Sequence, residues 1–393
     1  MNMGFRRARH GRPLSRLCRD GGSAAFFAAL ALMAAACGPS QSNAPRAGAA
    51  TRRDPYRTPL VVVAKSAPRP VVPVSAVPPN LAQDTRPVVR ITAVTTRVPA
   101  SWETPPLVGR LQHHLVTKQG ESVLEIARQS GLGFREVRDA NPNIDEWEPH
   151  AGADLLLPSR FILPRSSNRG LIINIPEMRL YFFPSDALVG ERVPVLTWPI
   201  GIGAEEAPSP VGAFKVKSKD ENPTWVVPAN IQREMDHPVA VVPPGPDNPL
   251  GAYRIRLSID VYAIHGTNDP WTVGRLTTHG CIRLYPEDIE ALYPLVDAGT
   301  PGEIVYQPVK FGESKGRIYA EVHQDVYQTY PDLEAHAMSV LADSGLGPRV
   351  DLGLLREVVR AQTGVPTDVT LGDAAAPKPR VNVVHDAPRG GDV

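Results

Sequence analysis

The sequence predicts a mostly β protein: a β-rich sandwich or open barrel with at least one helix, preceded by a small strand–helix–helix–strand module and followed by a helical appendage. Three observations predict it. Between residues 166 and 312, short apolar runs such as 170–174 and 179–183 are punctuated by glycine and proline, the pattern of strands joined by tight turns. Helical periodicity is scarce there until 287–296, where Ile289, Leu292 and Val296 recur at helix spacing. Of 393 residues 42 are proline, many in the first hundred, which separates an extended leading segment from a body able to bury a core.

Taken in order, residues 1–37 read as an export signal. Arg6, Arg7, Arg9, Arg12, Arg16 and Arg19 form a basic leader, and the apolar run 24–36 is too short to cross a bilayer comfortably but has the length of a signal-peptide core. Small residues precede Cys37 in LMAAACG, which resembles a bacterial lipobox; the resemblance implies lipidation of Cys37. Ordinary cleavage near this point and a retained anchor are the alternatives. Residues 38–108 read as a Pro/Ala-rich tether, extended and partly stiff; its part at 88–98 is alternatively an edge strand of the body.

Residues 110–160 give a strand at His114-Leu115-Val116, a turn at Gly120-Glu121-Ser122, a helix over 123–130 capped by Ser122 and ended by Gly131, a second helix over 134–140, and a closing strand over 155–157. The stretches VTKQGESVLEIARQSG, VRDANPNI and WEPHAGADLLLPS resemble a LysM module, with Leu115 where an aromatic residue is common. The resemblance implies binding to peptidoglycan or a similar N-acetylglucosamine-containing glycan. A small packing domain without glycan affinity is the alternative. In the body at 166–312, strands are expected at 170–174, 179–183, 193–199, 212–218, 252–256, 261–264 and 304–307. Residues 317–373 are expected to form a C-terminal helical region with a strand over 317–323 and helices over 333–343 and 352–363, and 374–393 a flexible tail.

The formal net charge of +1 argues against a nucleic-acid binder. No nucleotide loop, haem signature or convincing metal cluster is present in the sequence, so no cofactor is expected. Cys18 lies in the leader and Cys37 at the processing point, which leaves Cys281 as a lone thiol in the exported body. His279 stands two residues before it in TTHGCIRL, and His265 in AIHGTNDP ends a strand-like run. A thiol needs a neighbouring base or positive charge to react at neutral pH, and a base on a strand end is held rigidly. A buried inert cysteine is one alternative. A zinc site of His265, His279 and Cys281 with Asp269 or Asp288 is another, although the spacing matches no familiar zinc motif.

The pair His265-Gly266, followed by Thr278-His279-Gly280-Cys281-Ile282-Arg283, resembles the YkuD-type L,D-transpeptidase family. INIPEMRLYFF, TWPIGIG, SPVGAFKV, NPTW, PPGPDNPLGAYRIRL and LYPEDIEALYPLVDAGTPGEIV extend the resemblance over about 168–312; Thr277-Thr278 stands where two serines are frequent. The resemblance implies a YkuD-type β-sandwich and a cysteine acyltransferase acting on tetrapeptide stems. Cys281 would attack the carbonyl of residue three, usually meso-diaminopimelate, and D-alanine would leave. His265 would be the base and His279 an orienting partner beside the thiolate. The backbone N–H groups of Gly280 and Cys281 would hold the oxyanion. Arg283 would clamp a carboxylate or carbonyl of the stem, or pair with Glu287 or Asp288. Thr278 would bond substrate or brace the loop.

The products implied are 3-3 cross-links, or attachment of a protein such as an outer-membrane lipoprotein to diaminopimelate. An L,D-carboxypeptidase or murein-protein amidase of the same fold, and a non-enzymatic peptidoglycan anchor, are the competing readings. The expected location is the periplasm, with outer-membrane tethering through a lipid on Cys37.

Overall fold

The computed structural model describes residues 96–372, apart from 100, 101, 118, 119, 168 and 185–191. The expected leader with Cys37, the tether up to residue 95 and the tail at 374–393 lie outside the described residues. Among the described residues, no helix is long and apolar enough to cross a membrane.

The chain enters through β1 (Thr96–Pro99) and β2 (Leu107–Gly109), then β3 (Gln112–Leu115), α1 (Val123–Gln129), α2 (Phe134–Ala140), β4 (Asp154–Leu157) and β5 (Arg160–Ile162). β3 pairs antiparallel with β4, and β2 with β5. A capping box starts α1: the Ser122 hydroxyl accepts from the Glu125 N–H at 3.3 Å, and the Glu125 carboxylate accepts from the Ser122 N–H at 3.0 Å. The strand–helix–helix–strand order read from the sequence is present. The expected tether boundary at 108 is corrected, because β1 adds antiparallel to the edge of the main sheet and Val98 is buried in its core. An edge strand tolerates the flanking prolines that weigh against a central one.

The main sheet uses β6 (Gly170–Asn174), β7 (Arg179–Phe183) and β8 (Arg192–Pro199); a short β9 (Ile202–Gly203) follows, then β10 (Gly212–Glu221). A protruding lobe carries β11 (Trp225–Val226), α3 (Ala229–Gln232) and β12 (Val241–Val242). The chain returns through β13 (Tyr253–Leu257), β14 (Ala263–His265), β15 (Leu276–Thr278), β16 (Ile282–Arg283), α4 (Pro286–Leu292) and β17 (Pro301–Val305). The nine-stranded order is β1-β8-β7-β6-β17-β10-β13-β14-β16. β6 pairs parallel with β17 and β14 parallel with β16; the other pairs are antiparallel. At the far edge, Arg283 of β16 exchanges two backbone bonds with Gly201, just past β8, at 2.7 and 2.9 Å. The sheet therefore curls until its β16 edge meets the continuation of β8, next to the opposite edge, an open barrel.

Period-two alternation sends side chains to two cores. Ile172, Tyr181 and Phe183 point to one face, where they join Val123, Ile126, Phe134 and Leu155 of the N-terminal module in a single cluster. Leu171, Ile173, Leu180 and Phe182 point to the other, with Ile255, Ile264, Ile282 and Ile289. The module is thus packed on the sheet as part of its core. Arg179, 1% exposed, crosses this junction to bond both carboxylate oxygens of Glu136 at 2.7 and 2.9 Å.

β18 (Val309–Ser314) and β19 (Arg317–Val322) form a hairpin against which α5 (Leu333–Ser344) and α6 (Leu352–Ala361) bury a third core, and β20 (Thr367–Asp368) adds to β19. Lys315 and Gly316 both have positive φ, as a two-residue hairpin turn requires. The expected division at 312 falls inside β18 and is corrected: the helical region begins with a hairpin at 309. Lys310 in β18 bonds Glu177, Glu321 and the Ile162 carbonyl at 2.7, 2.7 and 2.6 Å, which ties sheet, hairpin and module together.

Candidate active site

Strand register builds the site. Asp220, Arg254, His265 and Arg283 stand abreast on β10, β13, β14 and β16. Paired residues share a face of a sheet. The neighbouring row, Ile255, Ile264 and Ile282, turns into the core. The alternation that fills the core therefore presents a polar row on the reverse side. Cys281 lies two places back from Arg283 along the line of β16, so the register places it diagonal to His265.

His265 is buried, and its Nδ1 lies 2.7 Å from the Gly266 carbonyl. A carbonyl only accepts, so Nδ1 carries the hydrogen and Nε2 keeps its lone pair. Burial lowers the imidazole pKa to about 3; the charge on Arg283, and less so that on Arg254, acts the same way against the Gly266 bond. Cys281 is half-buried, and burial raises its pKa, opposed by the Ala263 N–H and the charges on Arg283 and Arg254. Its sulfur lies 3.9 Å from the Val261 carbonyl. The resting pair is a neutral thiol and a neutral imidazole, so proton transfer has to accompany attack. Val261 has φ +66° and is 89% exposed, a strained conformation for a β-branched residue costing about 1–3 kcal/mol.

Thr278 braces the nucleophile loop: its Oγ1 donates to the Cys281 carbonyl at 2.6 Å and accepts from the Gly280 N–H at 3.2 Å. Gly280 has φ +96°, and a Cβ there would lie 2.5 Å from the Tyr262 ring. Only glycine fits between them. The Gly280 N–H, one of the two expected oxyanion donors, points to Thr278 Oγ1 within the loop. His279 is exposed, and its Nε2 lies 2.8 Å from the Glu234 carboxylate just past α3, on the lobe.

Arg283 donates from Nη1 to Thr272 Oγ1 at 2.8 Å, while its Nε has no hydrogen-bond partner among the described residues. Glu287, a suggested partner, instead takes Arg128 of α1 at 3.0 and 3.2 Å. Burial lowers the Arg283 pKa, countered by the Asp269 carboxylate. Asn248 anchors the lobe, bonding the Pro223 carbonyl at 2.8 Å and the Leu250 N–H at 2.9 Å. Trp271 packs under Arg128, 5.5 Å from its ring centre, on the module side.

His265, His279 and Cys281 do not converge as metal ligands. Among the described residues that geometry is met by Glu177, Glu321 and His323, and there Lys310 Nζ already lies against both carboxylates. Sequence reasoning missed Thr272, Glu234 and Arg254 as parts of the site. Arg254 had a signal, its place in GAYRIRL; the other two depend on contacts made across loops.

Compared with known proteins, the family model "YkuD: L,D-transpeptidase catalytic domain" matches residues 168–304. The "Probable L,D-transpeptidase YcfS" of Escherichia coli (strain K12) is 34% identical over 299 residues, 70% of this chain and 91% of its own length. The "Probable L,D-transpeptidase ErfK/SrfK" of Salmonella typhimurium is 35% identical over 289 residues, 69% of this chain and 92% of its own. The "Probable L,D-transpeptidase YbiS" of Escherichia coli (strain K12) is 34% identical, again covering 70% and 92%.

Proposed function

The chain belongs to the L,D-transpeptidase family, and from that premise we propose that it transfers peptidoglycan stem peptides through an acyl-enzyme on Cys281. The observation that carries this reading is the strand register that sets a neutral imidazole, its Nε2 lone pair free to accept, diagonal to the one free cysteine among the described residues.

The chemistry follows from those groups. The Cys281 sulfur bonds to the carbonyl carbon of stem residue three as its proton passes to His265 Nε2. The oxyanion meets the Cys281 N–H, with the positive charge of Arg283 nearby. Collapse breaks the bond to D-alanine, whose amine takes the proton from His265. An acceptor amine then attacks the thioester, gives a proton to His265, and the thiolate leaves and recovers it. Arg283, with Nε unpaired among the described residues, is assigned to a carboxylate or carbonyl oxygen of the stem. The acceptor is a second stem, giving a 3-3 cross-link, or a protein such as an outer-membrane lipoprotein.

The remaining readings are part of the same proposal. The strand–helix–helix–strand order supports a LysM-like glycan-binding role for residues 110–160. The basic leader, apolar run and LMAAACG string support export to the periplasm, with Cys37 lipidated. Incubation of wild type and Cys281→Ala with tetrapeptide muropeptides, followed by mass analysis, tests the function. A cross-linked dimer from wild type alone is expected. Free tripeptide stems alone would mean hydrolysis, and an identical adduct on Cys281→Ala would sink the assignment.

A further inference from the structure

Among the described residues, β15 and its flank carry buried polar atoms without hydrogen-bond partners: Nε and Nη2 of Arg275 and Oγ1 of Thr277, with Nε of Arg283 on β16. In folded proteins such atoms are few, and a cluster of them calls for an acceptor or donor from outside the chain. Arg275 immediately precedes β15 and Thr277 lies at its centre, two residues apart and so on one face. The alternate residues are otherwise occupied: Leu276 packs on the core and Thr278 braces the loop.

That face looks toward the N-terminal module. The Arg275 guanidinium carbon lies 4.2 Å from the Phe134 ring centre and 5.6 Å from that of Trp147. Ring faces stabilise its charge, but they do not accept an N–H bond as an oxygen does. Trp147, 37% exposed, is the outer wall. It sits in an Asx turn in which Asp145 Oδ1 accepts from the N–H groups of Trp147 and Glu148 at 2.8 and 2.9 Å. Its ring centre lies 6.3 Å from that of Phe134, so the two rings flank the guanidinium.

We propose that Arg275, Thr277 and Trp147 form a subsite for the N-acetylated amino sugar that carries the donor stem. Its carbonyl and hydroxyl oxygens satisfy Arg275 and Thr277, and its apolar face lies on Trp147. The sugar is thereby read by the catalytic body and the module together. This inference rests on the transpeptidase reading above.

The test compares two soluble donors, a disaccharide-linked tetrapeptide and the same tetrapeptide without sugar, by kcat/KM for D-alanine release. Wild type is expected to favour the sugar-linked donor on the order of tenfold, the worth of one or two hydrogen bonds. In Thr277→Val, which preserves volume, and in Trp147→Ala, the ratio of the two values should fall toward one. Equal use of both donors by wild type, or variants that keep its preference, would overturn the subsite. Turnover of neither donor would instead count against the transpeptidase reading. In that event the peptide-free disaccharide still decides the subsite: it must shift the Trp147 indole N–H resonance in wild type, and an unmoved resonance rejects it.

Discussion

Two buried polar clusters among the described residues are built on opposite terms. In the first, Lys310 bonds Glu177 and Glu321, Glu321 also takes His323 at 2.7 Å and the Ile162 N–H at 2.5 Å, and Asn174 donates to Glu177 at 3.0 Å. In the second, His265 keeps a free Nε2, Arg283 keeps a partnerless Nε among the described residues, and burial holds imidazole and thiol neutral. The first joins three parts of the chain through bonds its members make to one another. The second leaves capacity unspent beside a nucleophile. A satisfied network locks a fold, whereas leftover capacity at the end of strands marks where a substrate completes the structure.

The contrast can be broken experimentally. The largest effect is expected at the open cluster: His265→Ala should slow adduct formation with a carbapenem by about 10²–10⁴-fold, read by intact-protein mass spectrometry. At the first cluster, Lys310→Met leaves two buried carboxylates without their cation and should cost about 3–5 kcal/mol in denaturant unfolding. Its adduct rate per folded molecule should stay within a few-fold of wild type; a loss as deep as that of His265→Ala would erase the distinction.

Acid should separate the clusters next. The His265 pKa is about 3, below its ordinary value near 6.5, so the unfolded chain takes up this proton first. Stability from this group is full above pH 6.5 and declines by about 1.4 kcal/mol per pH unit down to about 3. The base itself stays neutral over that window, so initial adduct rates should show no inflection near pH 6.5. The smallest effect is expected for His279→Ala, because its bond to Glu234 is exposed and pairs of that kind contribute roughly 0.2–1 kcal/mol. Adduct rates within about threefold of wild type would agree with its placement; a loss of a hundredfold would return His279 to the chemistry.

The fold was legible where local pattern decides it. The apolar runs at 170–174 and 179–183 became β6 and β7 with the same bounds, and the string from Thr278 to Arg283 pointed at the site. Other features rest on distant pairings. β1 emerges from a proline-rich stretch because β8 offers it an edge, and the 309–322 hairpin was cut at 312 because the family resemblance ends there, inside β18. Nor does spacing reveal that Lys310, a surface residue by type, is buried. The Arg254–His265–Arg283 row needed the register of β13, β14 and β16, which no single segment encodes.

The closure of the sheet at Gly201 and Arg283 has a temporal consequence. These two residues are far apart in the chain, yet their bonds fix the strand that presents Cys281. Contacts of such long sequence separation carry a heavy loop-closure cost. Until the curl is complete, sulfur and imidazole have no reason to meet, and a thiol without its base reacts slowly at neutral pH. The architecture acts as a safety catch: a chain whose sheet is still open carries its warhead disarmed, and the final turn of the sheet arms it.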